Sequence, residues 1–131
     1  MDKGSSGYYS GTGGSGGEAD LGGLFSYGTV HGGYPLSLHE GRQGKHIVDN
    51  NNYIPGRSIF FGTLADAQGL VSAYGGKGIW YPNAHREVVD FGRTIGRYIS
   101  RSGESALTSW GTIHYSKTGT HIVPAKPRKV N

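Results

Sequence analysis

The clearest structural pattern in this chain lies near its end, at residues 112–124, which read TIHYSKTGTHIVP. Large or β-branched side chains alternate with polar ones, the alternation stops at KTG, and it then resumes. A period of two is typical of strands, and a glycine at the break is typical of a tight turn. The sequence therefore predicts a β-hairpin here.

The predicted hairpin is unusually rich in side chains that can do chemistry. His114, Ser116, Thr120 and His121 lie within eight consecutive positions. The plainer interpretation is an amphipathic hairpin whose solvent-exposed face carries ordinary polar residues. Two histidines beside hydroxyl groups favour the other interpretation, which is the wall of an active site.

The register of this hairpin decides which of its side chains meet, and the sequence leaves two registers open. If the loop has three residues and ends at Gly119, Ser116 faces Thr120 and shares its face with His114, while His121 lies on the opposite face. If the loop is only the TG dipeptide, Ser116 faces His121 and Thr120 turns away. A glycine in the last loop position slightly favours the first register.

Composition points to one folded domain with a glycine-rich front. The chain has 131 residues, only 34% of them hydrophobic, and 12 of its 25 glycines precede Tyr34. Residues 1–33, including His31, are predicted to be a flexible Gly/Ser-rich linker from a longer protein, because they offer almost nothing to bury. Residues 34–127 are predicted to form the compact domain, and 128–131 a short tail.

The residue inventory excludes several classes of site. There is no cysteine, so disulfides, thiolate nucleophiles and thiolate metal ligands are ruled out. No apolar run reaches the roughly 20 residues of a membrane span. The formal net charge is +4, which suits a polyanionic partner such as nucleic acid.

Capping signals place two helices in the first half of the compact domain. Ser37, with Glu40 three residues later, predicts a capping box and a short helix within residues 36–47. Thr63 predicts the N-cap of a clearer helix, which Gly75 ends. Apolar residues recur at helical spacing between them, which is typical of a helix that packs on a core.

In the second half of the domain, apolar and polar residues alternate, as is expected for strands. Residues 77–84 and residues 102–109 are predicted to form loops. Helices first and antiparallel strands afterwards indicate an α+β fold. The predicted strands are residues 57–61, 86–91, 94–100, 110–116 and 120–123.

Further candidates for chemistry lie outside the hairpin. His46 follows Lys45, and an imidazole whose pKa is close to neutrality can act as a general base. Arg57 and Ser58 follow a Pro-Gly turn and are placed to contact a phosphate. Together with Lys45 and Lys117, Arg57 can offset negative charge that develops in a reaction. The plainer interpretations are a surface histidine and a structural arginine in a turn.

A metal site is the weaker prediction. His114 and His121 are seven positions apart, and Asp49 and Asp90 stand elsewhere, but no HExxH motif or paired carboxylates occur. Histidines, hydroxyls and cations with few carboxylates fit RNA cleavage without a metal, in which the 2′-hydroxyl of the substrate attacks and the protein supplies a base, an acid and positive charge. We therefore expect no metal and no cofactor.

Six motifs closely resemble the bacterial polymorphic toxin type 50 domain, and the resemblance covers residues 36–126. The last of them is the most specific. The motifs are KHI at 45–47, NNY at 51–53, GRS at 56–58, EVV at 87–89, IG at 95–96 and IHYSKTGTHIVP at 113–124.

This resemblance implies a fold, a function and a set of site residues. The fold would be that of barnase, EndoU, colicin nucleases and RelE, with short helices followed by a curved antiparallel sheet of about four strands. Members are expected to be metal-independent ribonuclease toxins of secreted effectors, each neutralised by an immunity protein. The positions that match the family are His46, His114, Ser116, Thr120 and His121.

The sequence thus predicts an endoribonuclease toxin that cleaves tRNA or another structured RNA and leaves a 2′,3′-cyclic phosphate. Its catalytic candidates are the five matching positions, and its substrate-binding candidates are Lys45, Arg57, Ser58 and Lys117. We expect a monomeric module of a larger delivered protein that acts in the target-cell cytoplasm and binds an acidic immunity protein. The alternatives are a metal-dependent DNase and a non-catalytic nucleic-acid or capsid-associated binding module.

Overall fold

The structure is a computed structural model that describes residues 27–129 of the chain. Within these residues it has two α-helices and nine strands, so the predicted α+β class is confirmed. In chain order the elements are β1 (Thr29–Val30), β2 (Tyr34–Pro35), α1 (Glu40–Gly44), β3 (Ile59–Phe60), α2 (Leu64–Tyr74), β4 (Ile79–Tyr81), β5 (Arg86–Asp90), β6 (Gly96–Ile99), β7 (Ser105–Thr108), β8 (Trp110–Ser116) and β9 (Gly119–Pro124).

The main sheet has four antiparallel strands in the order β4-β5-β8-β9. A second antiparallel sheet has the order β3-β6-β7, and β1 pairs with β2. The expectation of about four strands therefore describes the main sheet, but the fold has more strands than predicted.

The main sheet has one face on the core and one face that carries polar groups. Ile113 and Ile122 are paired across β8 and β9, and both are fully buried on the inner face, as is most of Tyr115. Side chains alternate along a strand, so the residues between them lie on the outer face. His114 and His121 are therefore on the outer face, away from the core.

Helix α2 supplies the main packing partner of the inner face. Thr63 caps it, since its hydroxyl accepts a hydrogen bond from the backbone N–H of Asp66 (3.0 Å) while the Asp66 carboxylate accepts one from the Thr63 N–H (2.8 Å). Ala67, Leu70 and Val71 are buried in the same hydrophobic cluster as the inner face of the sheet. The capping signal and the apolar spacing both predicted this helix correctly.

Helix α1 is shorter than predicted and starts later. The predicted N-cap, Ser37, is wrong: the cap is His39, whose Nδ1 accepts from the Arg42 N–H (3.2 Å). The reason is that residues 37–39 pair with the edge strand β9. The Thr120 N–H donates to the Ser37 carbonyl (2.8 Å), and the His39 N–H donates to the Thr120 carbonyl (2.7 Å).

Besides β1, which lies in the predicted linker, two strands lie in stretches that were predicted to be irregular. Residues 77–84 contain β4, in which Trp80 pairs with Glu87 of β5, and residues 102–109 contain β7. Both strands are short and flanked by turn-forming residues, so their alternation is too brief to read from the sequence. Each strand is stabilised by pairing with a neighbouring strand, and its own residues show no pattern that would predict it.

The front of the described region packs on the domain, so assigning His31 to the flexible linker was wrong. The His31 ring stacks on Trp80 (ring centroids 3.7 Å apart), and its Nε2 donates to the fully buried carboxylate of Glu87 (2.9 Å). Tyr115 also donates to this carboxylate (2.6 Å). Residues 1–26 lie outside the described residues, and the division into linker, domain and tail stays a prediction.

None of the helices that the structure describes is both long and apolar enough to cross a membrane.

Candidate active site

The β8–β9 hairpin turns through the two residues Lys117 and Thr118. His114 is directly opposite His121, and Ser116 is opposite Gly119. The register with a three-residue loop, which the glycine favoured, is therefore wrong. As in the second predicted register, Ser116 and His121 lie on one face of the hairpin and Thr120 on the other. The strands are shifted by two residues from that register, because Ser116 pairs with Gly119 and not with His121. His114, Ser116 and His121 share the outer face.

Gly119 has a different role from the expected loop glycine. It begins strand β9 with φ +128°, and a Cβ atom here would lie 2.9 Å from the backbone of Ser37 and of His39. The glycine thus lets the edge strand approach the segment before α1. Its neighbour Thr120 is fully buried on the inner face, where its hydroxyl lies 3.4 Å from the Ser37 carbonyl oxygen.

His46 completes a row of three imidazoles. It follows α1, has only 5% of its surface exposed, and its Nδ1 is 2.8 Å from the Ser58 carbonyl oxygen. Its ring centroid is 6.0 Å from that of His121, at an interplanar angle of 17°. The rings of His121 and His114 are 4.7 Å apart at 15°. We call His46, His121 and His114, in this order, the histidine row.

Helix α1 is tied to the hairpin beside this row. The Arg42 guanidinium donates through Nη1 to the Ser116 hydroxyl oxygen (2.9 Å), and that hydroxyl donates to the Gly119 carbonyl (2.8 Å). The amide of Gln43 forms two hydrogen bonds with the backbone of Ile122 in β9. These bonds fix the position of α1, and of His46 just beyond it, relative to His121.

Positive charge surrounds the histidine row. Arg86 is the register partner of His114 on β5, so their side chains share the outer face. The positive charges of Arg57 and Lys45 act on His46, and that of Arg42 acts on His121. No carboxylate is among the groups that shift the pKa of any member of the row.

Burial and positive charge keep the row unprotonated. Burial, followed by the charges of Arg86 and His46, lowers the pKa of His114 to about 4. Burial, followed by the charges of His114, His46, Arg42 and His39, lowers the pKa of His121 to about 3. Burial also lowers the pKa of His46, against the hydrogen bond to Ser58. At neutral pH the site therefore holds neutral imidazoles among cations, which favours an anionic ligand.

The tautomer of His46 follows from its hydrogen bond. A carbonyl oxygen can only accept, so Nδ1 of His46 carries the hydrogen in its bond to Ser58. In the neutral ring Nε2 then has the free lone pair. This atom can accept a proton, as a general base must.

The other candidate residues are placed in three ways. Ser58 is a structural link, since its hydroxyl accepts from the Ile99 N–H (2.9 Å) and joins the loop to β6. Lys117 is exposed at the tip of the hairpin, and Arg57 is exposed on the loop before β3. Lys45 is the C-cap of α1. The structure thus brings together His46, His114, His121 and Ser116, and it turns Thr120 to the inner face.

Arg42 and Arg86 were not identified from the sequence. Arg42 lies in a short helix with two glycines, and Arg86 begins a strand with no unusual pattern. Each becomes part of the site through a partner 28 or more positions away in the chain, Ser116 or His114. A prediction of the strand pairing between β5 and β8 would have been the signal for Arg86.

No group of three or more histidine, aspartate or glutamate side chains suited to hold a metal ion occurs in residues 27–129. The geometry of the histidine row explains this for its own members. Nearly parallel, stacked rings do not direct three nitrogen atoms at one point, as a metal ion with tetrahedral ligands requires.

These features define a small, basic α+β domain with a histidine site on the outer face of its main sheet. The family described as Bacterial toxin 50 matches residues 38–124, which is about two thirds of the chain. The chain therefore belongs to the bacterial toxin 50 family and is a polymorphic toxin domain. The matched range includes the whole histidine row. Among curated proteins, none matches this chain.

The lowered pKa values predict that acid destabilises the fold. In the unfolded chain His114 and His121 have their ordinary pKa of 6.5, so below that pH the unfolded chain binds protons that the folded protein does not. Stability must then fall as pH falls from 6.5 towards 4. We expect a Tm at pH 5 that is lower than at pH 7 by roughly 5 °C or more.

The control for this measurement is the double variant His114→Gln/His121→Gln. Because glutamine does not titrate, the variant should lose most of the difference in Tm between the two pH values. An equal Tm at pH 5 and pH 7 in the unmodified protein would contradict the assignment of neutral, partly buried imidazoles.

Proposed function

We propose that this toxin is a metal-independent endoribonuclease that acts on tRNA or another structured RNA. The observation that carries the proposal is the histidine row, in which three imidazoles lie side by side among Arg42, Lys45, Arg57 and Arg86. Cleavage through a 2′-hydroxyl needs a proton acceptor, a proton donor and positive charge near the phosphate. The imidazoles of the row are suited to the first two roles, and the surrounding cations to the third.

In the proposed mechanism His46 is the base. Its Nε2 takes the proton of the 2′-hydroxyl, whose oxygen attacks the adjacent phosphorus. His121, the neighbour of His46 in the row, gives a proton to the 5′-oxygen as the P–O5′ bond breaks. The products are a 2′,3′-cyclic phosphate and a free 5′-hydroxyl. Regeneration transfers one proton from His46 to His121 through solvent, so the reaction needs no external oxidant, reductant or metal.

The negative phosphate resolves an apparent conflict in this assignment. A proton donor must be protonated, whereas the pKa of His121 is only about 3 in the free protein. A bound phosphate brings an opposite charge to the imidazole and favours its protonated form. Arg42, which donates a hydrogen bond to Ser116 beside the row, offsets the charge that develops on the phosphate oxygens.

The pKa values give the proposal a distinctive pH dependence. The profile of kcat/KM reports groups of the free enzyme, and the active form of the row carries one proton. The pKa values of His46, His114 and His121 are all lowered from 6.5. We therefore expect a bell-shaped profile with its maximum below pH 6.5. The profile of kcat should peak at a higher pH, because bound phosphate stabilises the imidazolium.

An optimum of kcat/KM above pH 7.5 would contradict this mechanism. The direct assay incubates the protein with tRNA, with total RNA and with plasmid DNA in excess EDTA. We expect the RNA to be cut and the DNA to stay intact. Activity that requires a divalent metal would support the metal-dependent DNase or another metal enzyme, and binding without any cleavage would support the non-catalytic module.

We also propose that the toxin is delivered to a target cell, acts in its cytoplasm, and is neutralised by an acidic immunity protein. A surface that attracts RNA phosphates also attracts a protein with negative charge. The expected contact is the outer face of the main sheet around the histidine row. A cognate partner that is basic, or one that binds only the first 26 residues, would contradict this expectation.

A further inference from the structure

A groove on the outer face of the main sheet begins at the histidine row and leads away from it. Its volume is about 500 Å³, which is within the usual range of ligand sites. The groove lies between β6 and the turn after it on one side and β8, β9 and the segment after β9 on the other. His114 is part of its lining, so the groove is continuous with the row.

Three cations line the groove. Arg86 lies beside His114 at one end, and Arg101 and Lys126 line the remainder. No aspartate or glutamate is among the residues that line it. Three cations without a carboxylate form a track for a polyanion that runs from the histidine row.

The backbone that carries the two distal cations is held in place. Next to Arg101, the Ser100 N–H donates to the Glu104 carbonyl (2.8 Å), and the Ser100 hydroxyl accepts from the Glu104 N–H (3.1 Å). Next to Lys126, the Ala125 carbonyl accepts from the Thr108 hydroxyl (2.7 Å). Both cations therefore project from ordered backbone, which lowers the entropy lost when a ligand binds.

An aromatic side chain lies in the groove with these cations. Tyr98 of β6 is partly buried and contributes to the lining. Aromatic rings beside a row of cations are typical of surfaces that bind single-stranded nucleic acid, since unstacked bases can pack on the ring while the phosphates meet the cations. The bases of a duplex are stacked on each other and cannot use such a ring.

We propose that this groove binds an unpaired stretch of RNA next to the scissile phosphate. The inference rests on the proposed function and deepens it: the preferred substrate is a single-stranded loop or end of a structured RNA. The phosphate that reacts lies at the histidine row, and the neighbouring nucleotides follow Arg86, Tyr98, Arg101 and Lys126. An acidic protein is the competing occupant.

The test compares two double variants of the full chain that each remove two positive charges. Arg101→Gln/Lys126→Gln changes the groove. The control, Lys77→Gln/Arg93→Gln, changes two exposed cations that do not line it. The probe is a fluorescent 2′-O-methyl RNA of about twelve nucleotides, which cannot react through a 2′-hydroxyl. Its dissociation constant is measured by anisotropy over a range of salt concentrations.

We expect the groove variant to bind the probe about tenfold more weakly and to lose about 1.4 from the slope of log affinity against log salt, which is about 0.7 per lost contact with a single strand. The control variant should match the unmodified protein. The same probe annealed to its complement should bind more weakly to the unmodified protein. Equal binding by the groove variant and the control would overturn the proposal, as would preference for the duplex.

A cleavage assay separates this inference from the proposed function. On a dinucleotide, which spans only the scissile phosphate, the groove variant should keep the kcat/KM of the unmodified protein. On a long single strand its KM should rise about tenfold with little change in kcat. Groove-dependent binding of the probe without any RNA cleavage would defeat the proposed function alone. Equal cleavage of long RNA by the groove variant and the control would contradict RNA binding in the groove but not the proposed function. The groove would then remain a surface for the acidic protein.

Discussion

Replacing His121 by alanine is expected to lower kcat/KM for RNA cleavage by about 10²–10⁴-fold, the usual effect of a lost acid or base. His121 is the middle member of the histidine row, with His46 at 6.0 Å and His114 at 4.7 Å between ring centroids. His46→Ala should cause a loss in the same range, because His46 is the proposed base. The measurement is the initial rate on a defined RNA oligonucleotide in EDTA.

The matched control is a histidine outside the row. His85 is exposed, its ring lies 5.4 Å from that of Tyr34, and its backbone has φ +53°. Asparagine tolerates this left-handed conformation, so His85→Asn removes an imidazole without adding strain. We expect its activity to match that of the unmodified protein. Full activity in the triple variant His46→Ala/His114→Ala/His121→Ala would rule out the histidine mechanism.

Gln43→Ala is expected to lower the free energy of unfolding by about 2–4 kcal/mol, because it leaves two buried backbone groups without partners. Gln43 is fully buried in α1. Its Nε2 donates to the Ile122 carbonyl (3.0 Å), and its Oε1 accepts from the Ile122 N–H (2.7 Å). The pair satisfies the outward backbone groups of the edge strand β9. Urea unfolding gives the change in free energy.

Gln68 provides a close comparison for this measurement. Its amide makes the same two kinds of bond, to the Leu36 carbonyl (2.9 Å) and from the Leu38 N–H (2.8 Å), but at a partly buried position. Water can replace these bonds in Gln68→Ala, so the loss should be smaller. If Gln43→Ala were no more destabilising than Gln68→Ala, the two hydrogen bonds from Gln43 to Ile122 would not be what holds α1 and the hairpin together.

The elements predicted well are those with a complete local signal. Helix α2 has its capping box and its apolar spacing within about a dozen residues, and in β8 polar and apolar residues alternate over the five residues 112–116. His114 and His121 became candidates because they lie in the same clearly patterned hairpin. In each case the residues that determine the structure lie within the element itself. Contacts with distant parts of the chain therefore do not alter the predicted element.

The elements predicted poorly depend on contacts distant in sequence. The capping signal at Ser37 was overridden because residues 37–39 pair with Thr120, more than 80 positions later. The register of the hairpin depended on the same contact, since Gly119 lies against that segment. His31 looked like part of the linker because its partners, Trp80 and Glu87, lie about 50 positions away.

The candidate site shows both situations at once. His46 was predicted as a base from its own surroundings, but its distance to the hairpin depends on the bonds that Arg42 and Gln43 of α1 make to β8 and β9. Thr120 became a candidate because it carries a hydroxyl in the histidine-rich hairpin. Strand alternation places its side chain on the inner face instead. Residue type suggested the chemistry, and tertiary structure determined which groups meet.

A single substrate can show whether the histidine row activates a 2′-hydroxyl. This substrate is a DNA oligonucleotide that contains a single ribonucleotide, incubated with the protein in excess EDTA. We expect one cut, on the 3′ side of the ribonucleotide, with a 2′,3′-cyclic phosphate on one product and a 5′-hydroxyl on the other. Cleavage at deoxyribonucleotide linkages, or cleavage at the ribonucleotide that appears only with a divalent metal, would contradict this role of the row.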